Sequence, residues 1–238
     1  MPKMKNAFVT GGSGAIGSTI AENLKKRGYN VVIGYFSHKE KAEKVAKSIG
    51  CDAEYIDVSN SLSVDSAFNN FRKKFGKITV LVNCAGIALK QKVISDVTED
   101  EFDRLYSVNV KGAFLCSKAV IPDMLESGFG DIVNVSSIWG IDGASCEVPY
   151  SATKGALNAF TLALADELSL SSVKVNAVAP GFVDTPMNAH LSEEDKAAFI
   201  AENGLSSLTS AEQVAKTVLS LIDGKDTGKI IRVENKLN

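Results

Sequence analysis

The chain has 238 residues, 45% of them hydrophobic and 23% charged, with a formal net charge of −2. That balance excludes whole-chain disorder and a general nucleic-acid binder, which needs a basic face. Cys51, Cys84, Cys116 and Cys146 form no C-x-x-C and have only His38 and His190 beside them, so no metal site is expected.

Short apolar, β-branched runs alternate with longer amphipathic ones. Strands are predicted over Asn6–Thr10, Asn30–Tyr35, Ala53–Val58, Ile78–Asn83, Ile132–Ser136, Lys174–Ala179 and Lys229–Val233. Helices are predicted over Ile16–Arg27, Lys39–Ile49, Ser63–Phe75, Glu101–Ser127, Tyr150–Leu170, Ser192–Ala201 and Ala211–Ile222. Gly28 and Gly50 stand where C-caps belong, and Ser61, Thr98, Ser192 and Ser210 where N-caps belong. Strict β/α alternation predicts an α/β fold: one Rossmann-type, doubly wound domain over residues 1–238. Its parallel sheet would have seven strands and helices on both faces. No apolar run approaches the ~18 residues of a membrane span, and Met1–Thr10 does not read as a secretory signal. Scattered thiols fit a reducing compartment, so a cytoplasmic location is expected.

The first strand runs into Thr10-Gly11-Gly12-Ser13-Gly14-Ala15-Ile16-Gly17, in which Gly12, Gly14 and Gly17 match G-x-G-x-x-G. Glycines let the backbone approach a phosphate, and the helix that follows offers unpaired N–H groups and a partial positive charge. Gly11, Ser13, Gly14, Ile16 and Gly17 are the candidate contacts of this turn. An NAD-selective site places an acid ~20 residues after the glycines. Here that count lands on Ser37, in a stretch without acid before Glu40. Tyr35, Phe36 and Ser37 are candidates for the adenosine end. Ser37, His38 and Lys39 suit a 2′-phosphate, so NADP(H) is preferred, with NAD(H) open.

Tyr150 and Lys154 lie at i and i+4, which on a helix puts both on one face. A phenol is a poor acid–base group near neutrality, and an adjacent ammonium lowers its pKa. The spacing recurs at Tyr35–Lys39, but that pair straddles a strand end. Tyr150–Lys154 has company, because Ser136-Ser137 closes a strand 13 residues earlier, at the end of a sheet where ligands bind.

Taken with Asp57-Val58, Asn83-Cys84-Ala85-Gly86, Val108-Asn109-Val110, Asn134-Val135-Ser136-Ser137, Tyr150-Ser151-Ala152-Thr153-Lys154 and Pro180-Gly181-Phe182-Val183-Asp184-Thr185, the sequence resembles the short-chain dehydrogenase/reductase family. The likeness runs nearly end to end and is greatest to its 3-oxoacyl-(acyl carrier protein) reductases. The resemblance implies hydride transfer between a nicotinamide and a carbonyl or alcohol carbon. It implies a catalytic tetrad of Asn109, Ser137, Tyr150 and Lys154, with Tyr150 and Lys154 also touching cofactor. Asp57 and Val58 would contact adenine, and Asn83, Ala85 and Gly86 would line the cofactor. Pro180, Gly181, Val183 and Thr185 would wrap the nicotinamide end. It also implies a homotetramer and a substrate lid over about 185–210, where Leu191, Ala197, Phe199 and Ile200 suggest an amphipathic helix.

The chain departs from the family pattern at Ala15, where a methyl would crowd the pyrophosphate, and at Arg232-Val233-Glu234-Asn235. Pro122–Ser127 and Glu167–Ser172 hold no Lys or Arg, which argues against docking an acidic carrier protein. The substrate is therefore an acyl thioester or a free small ketone. A catalytically silent nucleotide-binding module is the alternative from another class. A methyltransferase would leave Tyr150, Lys154 and Ser137 without a task.

Overall fold

The computed structural model describes residues 5–183 and 192–237. Its first half runs β1 (Asn6–Thr10), α1 (Ala15–Lys26), β2 (Asn30–Tyr35), α2 (Lys39–Ile49), β3 (Asp52–Tyr55), α3 (Ser61–Phe75), β4 (Val80–Asn83), α4 (Glu99–Tyr106) and α5 (Gly112–Ser127). The second half runs β5 (Gly130–Val135), α6 (Trp139–Asp142), α7 (Val148–Glu167), β6 (Val173–Pro180), α8 (Glu193–Glu202), β7 (Leu205–Ser207), α9 (Ala211–Asp223), β8 (Ile230–Val233) and β9 (Asn235–Lys236). Seven strands form one parallel sheet in the order β3-β2-β1-β4-β5-β6-β8, as the alternation predicts.

Side chains of successive strand residues leave opposite faces of the sheet. Ala7, Val9, Val31, Ile33, Val80 and Val82 enter one core with Ile20 and Leu24 of α1 and Val214 and Val218 of α9. Phe8, Val32, Leu81 and Ile132 enter the other, with Phe68 of α3, Val120 and Met124 of α5 and Leu164 of α7. Burial on both faces is why these strands read as continuous apolar runs. Phe8 meets Phe68 edge-on at 4.9 Å between ring centroids.

Several elements differ from expectation. The predicted helix over 101–127 is two helices joined by a π-type turn, Ser107–Lys111. The turn brings the Asn109 amide to the loop after β4, where it exchanges two hydrogen bonds with the Ile87 backbone. A one-residue bulge leaves the apolar periodicity on either side intact, so the sequence pattern does not show it. The cap of α3 is Asn60, whose side chain accepts from the N–H groups of Leu62 and Ser63, and Ser61 is the first helical residue. Thr98 and Ser210 form capping boxes with Glu101 and Gln213. β3 ends at Tyr55, which leaves Asp57 and Val58 in the following loop. The antiparallel pair β7–β9 is too short to carry a periodic signal. Among the described residues no helix is long and apolar enough to cross a membrane, and no acid–His–Cys cluster is suited to a metal.

β1 sits between β2 and β4, so the chains leaving β1 and β4 diverge to opposite faces and open a crevice at the strands' carboxyl ends. The Thr10 hydroxyl bridges this crevice, accepting from the N–H groups of Cys84 and Ala85 at 3.1 Å each. Thr10→Val keeps the shape but orphans both donors. The expected loss is about 2 kcal/mol, a fall of about 5 °C in Tm by differential scanning calorimetry.

Candidate active site

The glycine turn leaves β1 with Gly11 at φ +63°, a conformation that favours glycine. A Cβ on Gly11 would stand 2.8 Å from the Ala85 Cα, and one on Gly17 would stand 2.5 Å from the Gly11 carbonyl oxygen. These two positions let β1, the first turn of α1 and the loop after β4 close around one point. Gly14 precedes α1 with no side-chain cap, so the first N–H groups of the helix face the crevice uncovered. Ala15 is the first residue of α1 and Ile16 packs against the core beneath it, whereas Gly11, Ser13 and Gly14 form the wall.

From this turn a cleft of about 620 Å³ extends across the ends of β2 and β3, walled by Tyr35, Phe36, Ser37, His38, Ile56, Asp57, Val58 and Ser59. On its other side stand Ala85, Gly86, Ile87, Ser107 and Val108. An elongated cleft with a glycine cradle and a free helix N-terminus at one end fits a dinucleotide. The Asp57 carboxylate accepts from both the N–H and the hydroxyl of Ser59, at 2.9 and 2.7 Å. Two basic side chains also line the cleft, Lys41 and Arg104. The sequence reading pointed instead to Lys39, which pairs with Glu43 at 3.7 Å. His38 takes φ +58° ahead of α2, a turn that local sequence does not announce and that decides which lysine faces the cleft. Arg104 arrives on α4, far along the chain, and carries no local signal.

At the other end of the crevice the four expected side chains come together. α7 carries Tyr150 and Lys154, and the end of β5 leads to Ser137. Lys154 is 5% exposed, and its Nζ donates to the Val135 carbonyl at 2.9 Å and lies 5.6 Å from the Tyr150 ring centroid. A Cβ on Gly86 would lie 3.4 Å from Asn109 Oδ1 and 3.5 Å from Lys154 Nζ, so these groups converge on one glycine. The Asn109 amide also donates to Thr153 Oγ1 at 3.1 Å. Ser137 accepts from the Trp139 N–H at 3.2 Å and bonds the Tyr150 hydroxyl, while the Trp139 ring stands edge-on to Tyr150 at 6.0 Å.

Asn83 turns inward, donating to Asn134 at 2.9 Å and Ser117 at 3.2 Å, and so braces β4 against β5 and α5. The Pro180 carbonyl accepts from the Ile138 N–H, and the Gly181 N–H donates to Val233. Val183 is buried and bridges Thr209. Thr185 and Leu191 lie outside the described residues. Phe199 of α8 packs on Phe182 with centroids 5.1 Å apart.

The electrostatics differ from the simple pairing of phenol and ammonium. Burial pushes the Tyr150 phenol up. A nearby carboxylate, Glu147, pushes it further, and the Ser137 hydrogen bond opposes both. Burial pulls Lys154 down to about 8, and the Cys84 thiol opposes it only in part. In the chain alone, burial is the largest influence on both groups. The sequence reading also missed Glu147, which is 6% exposed with its carboxyl pushed up to about 7 by burial.

A family model described as "short chain dehydrogenase" matches residues 5–196. The chain is 36% identical over 241 residues to the 3-oxoacyl-(acyl-carrier-protein) reductase FabG of Staphylococcus aureus, with 98% of each covered. It is 34% identical over 238 residues to the uncharacterized oxidoreductase YmfI of Bacillus subtilis, covering 96% of this chain and 97% of that one. Among solved structures, 3-ketoacyl-(acyl-carrier-protein) reductase from Brucella melitensis complexed with NADH superposes with a TM-score of 0.92. That protein is 31% identical, and the match covers 99% of this chain and 98% of that one.

Burial of Lys154 makes a stability prediction. Its pKa falls from an unfolded value of ~10.4 to about 8 in the fold. Between these values the unfolded chain holds the proton that the native chain has lost, so stability rises with pH there. Below about 8 both states are charged and the burial penalty is complete. Lys154→Met removes it. The variant's stability relative to the parent should be greater at pH 7 than at pH 10 by about 2 kcal/mol, measured by urea unfolding at both values.

Proposed function

The chain belongs to the short chain dehydrogenase family, and from that premise we propose that it reduces the ketone of a 3-oxoacyl thioester with NADPH, and catalyses the reverse alcohol oxidation. The observation that carries this reading is the convergence of Tyr150, Lys154, Ser137 and Asn109 at one end of a crevice whose other end is a glycine cradle. A bound nicotinamide supplies the hydride.

The chain's own groups supply the rest. Ser137 accepts from the Trp139 N–H and hydrogen-bonds the Tyr150 hydroxyl, and a substrate oxygen placed between the two would receive its O–H instead. Tyr150 gives that oxygen its proton. Lys154, fixed on the Val135 carbonyl, keeps two N–H donors for a ribose hydroxyl and for the phenol side. Asn109 holds the loop after β4 at the distance that lets Gly86 approach Lys154. Asp57 and Val58 would flank adenine, and Pro180, Gly181, Val183 and Thr185 the nicotinamide end. Residues 1–238 form one domain in this reading, with the 185–210 segment as its lid.

Lys41 and Arg104 together with Ser37 and His38 support NADPH over NADH, because a 2′-phosphate needs cations and donors at the adenosine end. The Brucella structure holds NADH, so both cofactors belong in any test. A second reading, a free ketone as substrate, is favoured by the absence of Lys and Arg from Pro122–Ser127 and Glu167–Ser172, which leaves little to meet an acidic carrier protein. Four free thiols support a cytoplasmic setting, and family membership supports a homotetramer.

Steady-state kinetics on an acetoacetyl thioester and a set of free ketones test the proposal. NADPH-dependent turnover is expected, falling at least ~10²-fold in Tyr150→Phe. Turnover of none of these substrates with either nicotinamide would overturn it. Lys41→Ala is expected to raise KM for NADPH about tenfold and leave KM for NADH unchanged.

A further inference from the structure

Arg232-Val233-Glu234-Asn235, where the chain departs from the family pattern, runs through the end of β8. Residues two apart along extended chain leave on the same side. Arg232 and Glu234 do so, with Arg232 Nη1 3.5 Å from Glu234 Oε2. The guanidinium then spans to α6, where Nη1 donates to Asp142 Oδ2 at 2.7 Å and Nη2 donates to Asp142 Oδ1. One fork thus joins two carboxylates, Asp142 on the surface and Glu234 with a side chain only 7% exposed. The strand end that carries it is itself fixed. The Val233 carbonyl accepts from the Gly181 N–H at 3.0 Å and from the Thr209 hydroxyl at 2.9 Å. Glu234 lies over Gly181, where a Cβ would stand 2.9 Å from its Cγ.

α6 is a single turn of four residues. A helix so short does not hold its own shape in water, so packing has to place it. On one side α7 does this. A Cβ on Gly140 would stand 2.5 Å from the Lys154 carbonyl carbon, and the Asn158 amide donates to the Gly140 carbonyl at 3.0 Å. At the far end Asp142 is the last residue before Gly143, which turns the chain away at φ +76°. At the near end is Trp139, whose N–H donates to Ser137 and whose ring stands edge-on to Tyr150.

We propose that Arg232 is a positioning residue for the ketone end of the cleft: its fork ties the end of β8 to Asp142, and through α6 it holds Trp139 and the Ser137 hydroxyl in register with Tyr150. The inference rests on the ketoreductase reading of the cleft. An exposed ion pair by itself contributes little to stability. This one acts through geometry, because a bidentate fork fixes direction as well as distance. It also closes a ring. β5 leads through Ser137 to α6, the fork crosses to β8, β8 pairs with β6, and β6 pairs with β5. Opening the ring frees the far end of α6 while leaving the sheet and both cores intact. A shift of about 1 Å in a group that holds the substrate oxygen costs rate far more than it costs folding.

Trp139 is the chain's single tryptophan, so its emission reports on α6 without a label. The test compares the full chain with Arg232→Ala, Arg232→Lys, Asp142→Asn and the Arg232→Ala/Asp142→Asn double variant. Each is taken through acrylamide quenching of Trp139 and steady-state reduction of an acetoacetyl thioester. Arg232→Ala and Asp142→Asn should each raise the quenching constant about twofold and lower kcat about tenfold. KM for NADPH should stay within about twofold, since the glycine turn and the adenosine wall are untouched. The double variant should be no worse than either single one, because both break the same link. Arg232→Lys keeps the charge without the fork and should recover only part of kcat. The Tm of each variant should move by no more than about 3 °C. Unchanged quenching in both single variants, or kcat losses that multiply in the double variant, overturns the proposal. Quenching needs no substrate. Coupled quenching in a chain that turns over none of the substrates would therefore sink the ketoreductase reading and leave the tie between β8 and α6 standing.

Discussion

Parallel strands cannot be joined by tight turns, so each chain leaving a strand must cross one face of the sheet before returning. Where β1 and β4 lie side by side, their successors depart to opposite faces, and a gap opens that no helix can cover. Most of the described candidate groups border that gap or the carboxyl ends beside it. The Thr10 hydroxyl holds its two lips together, and the glycine turn keeps side chains out of it. The π-type turn at 107–111 is a local departure from regular geometry that brings Asn109 to the same space.

At the Tyr150–Lys154 end, burial is the largest influence on both groups. Lys154 is buried and Tyr150 half-buried, and each is pushed toward its neutral form. Fixed dipoles, namely the Val135 carbonyl and the Ser137 hydroxyl, replace the water that burial removed.

The adenosine end follows a different logic. It is open, with Phe36 61% exposed and cations carried on flexible stems. Cations there would attract a phosphate, an attraction that salt screens, whereas groups at the other end are held by burial and short hydrogen bonds.

The sequence by itself determined the seven strands, the glycine turn and the Tyr150–Lys154 face, because each depends on a period or spacing written within about twenty residues. Two-sided burial makes a strand continuous in apolar character, and a helix repeats its face every turn. What only the tertiary structure decided depends on residues far apart in the chain. It broke the 101–127 helix to bring Asn109 to Ile87. It turned Lys41 rather than Lys39 into the cleft, brought Arg104 to the same wall and buried Glu147. Asn60 rather than Ser61 caps α3 because the cap depends on backbone angles that both side chains tolerate. Desolvation likewise belongs to the assembled fold: a side chain's distance from water is set by neighbours the local sequence does not contain, and here burial is the largest influence on Tyr150 and Lys154.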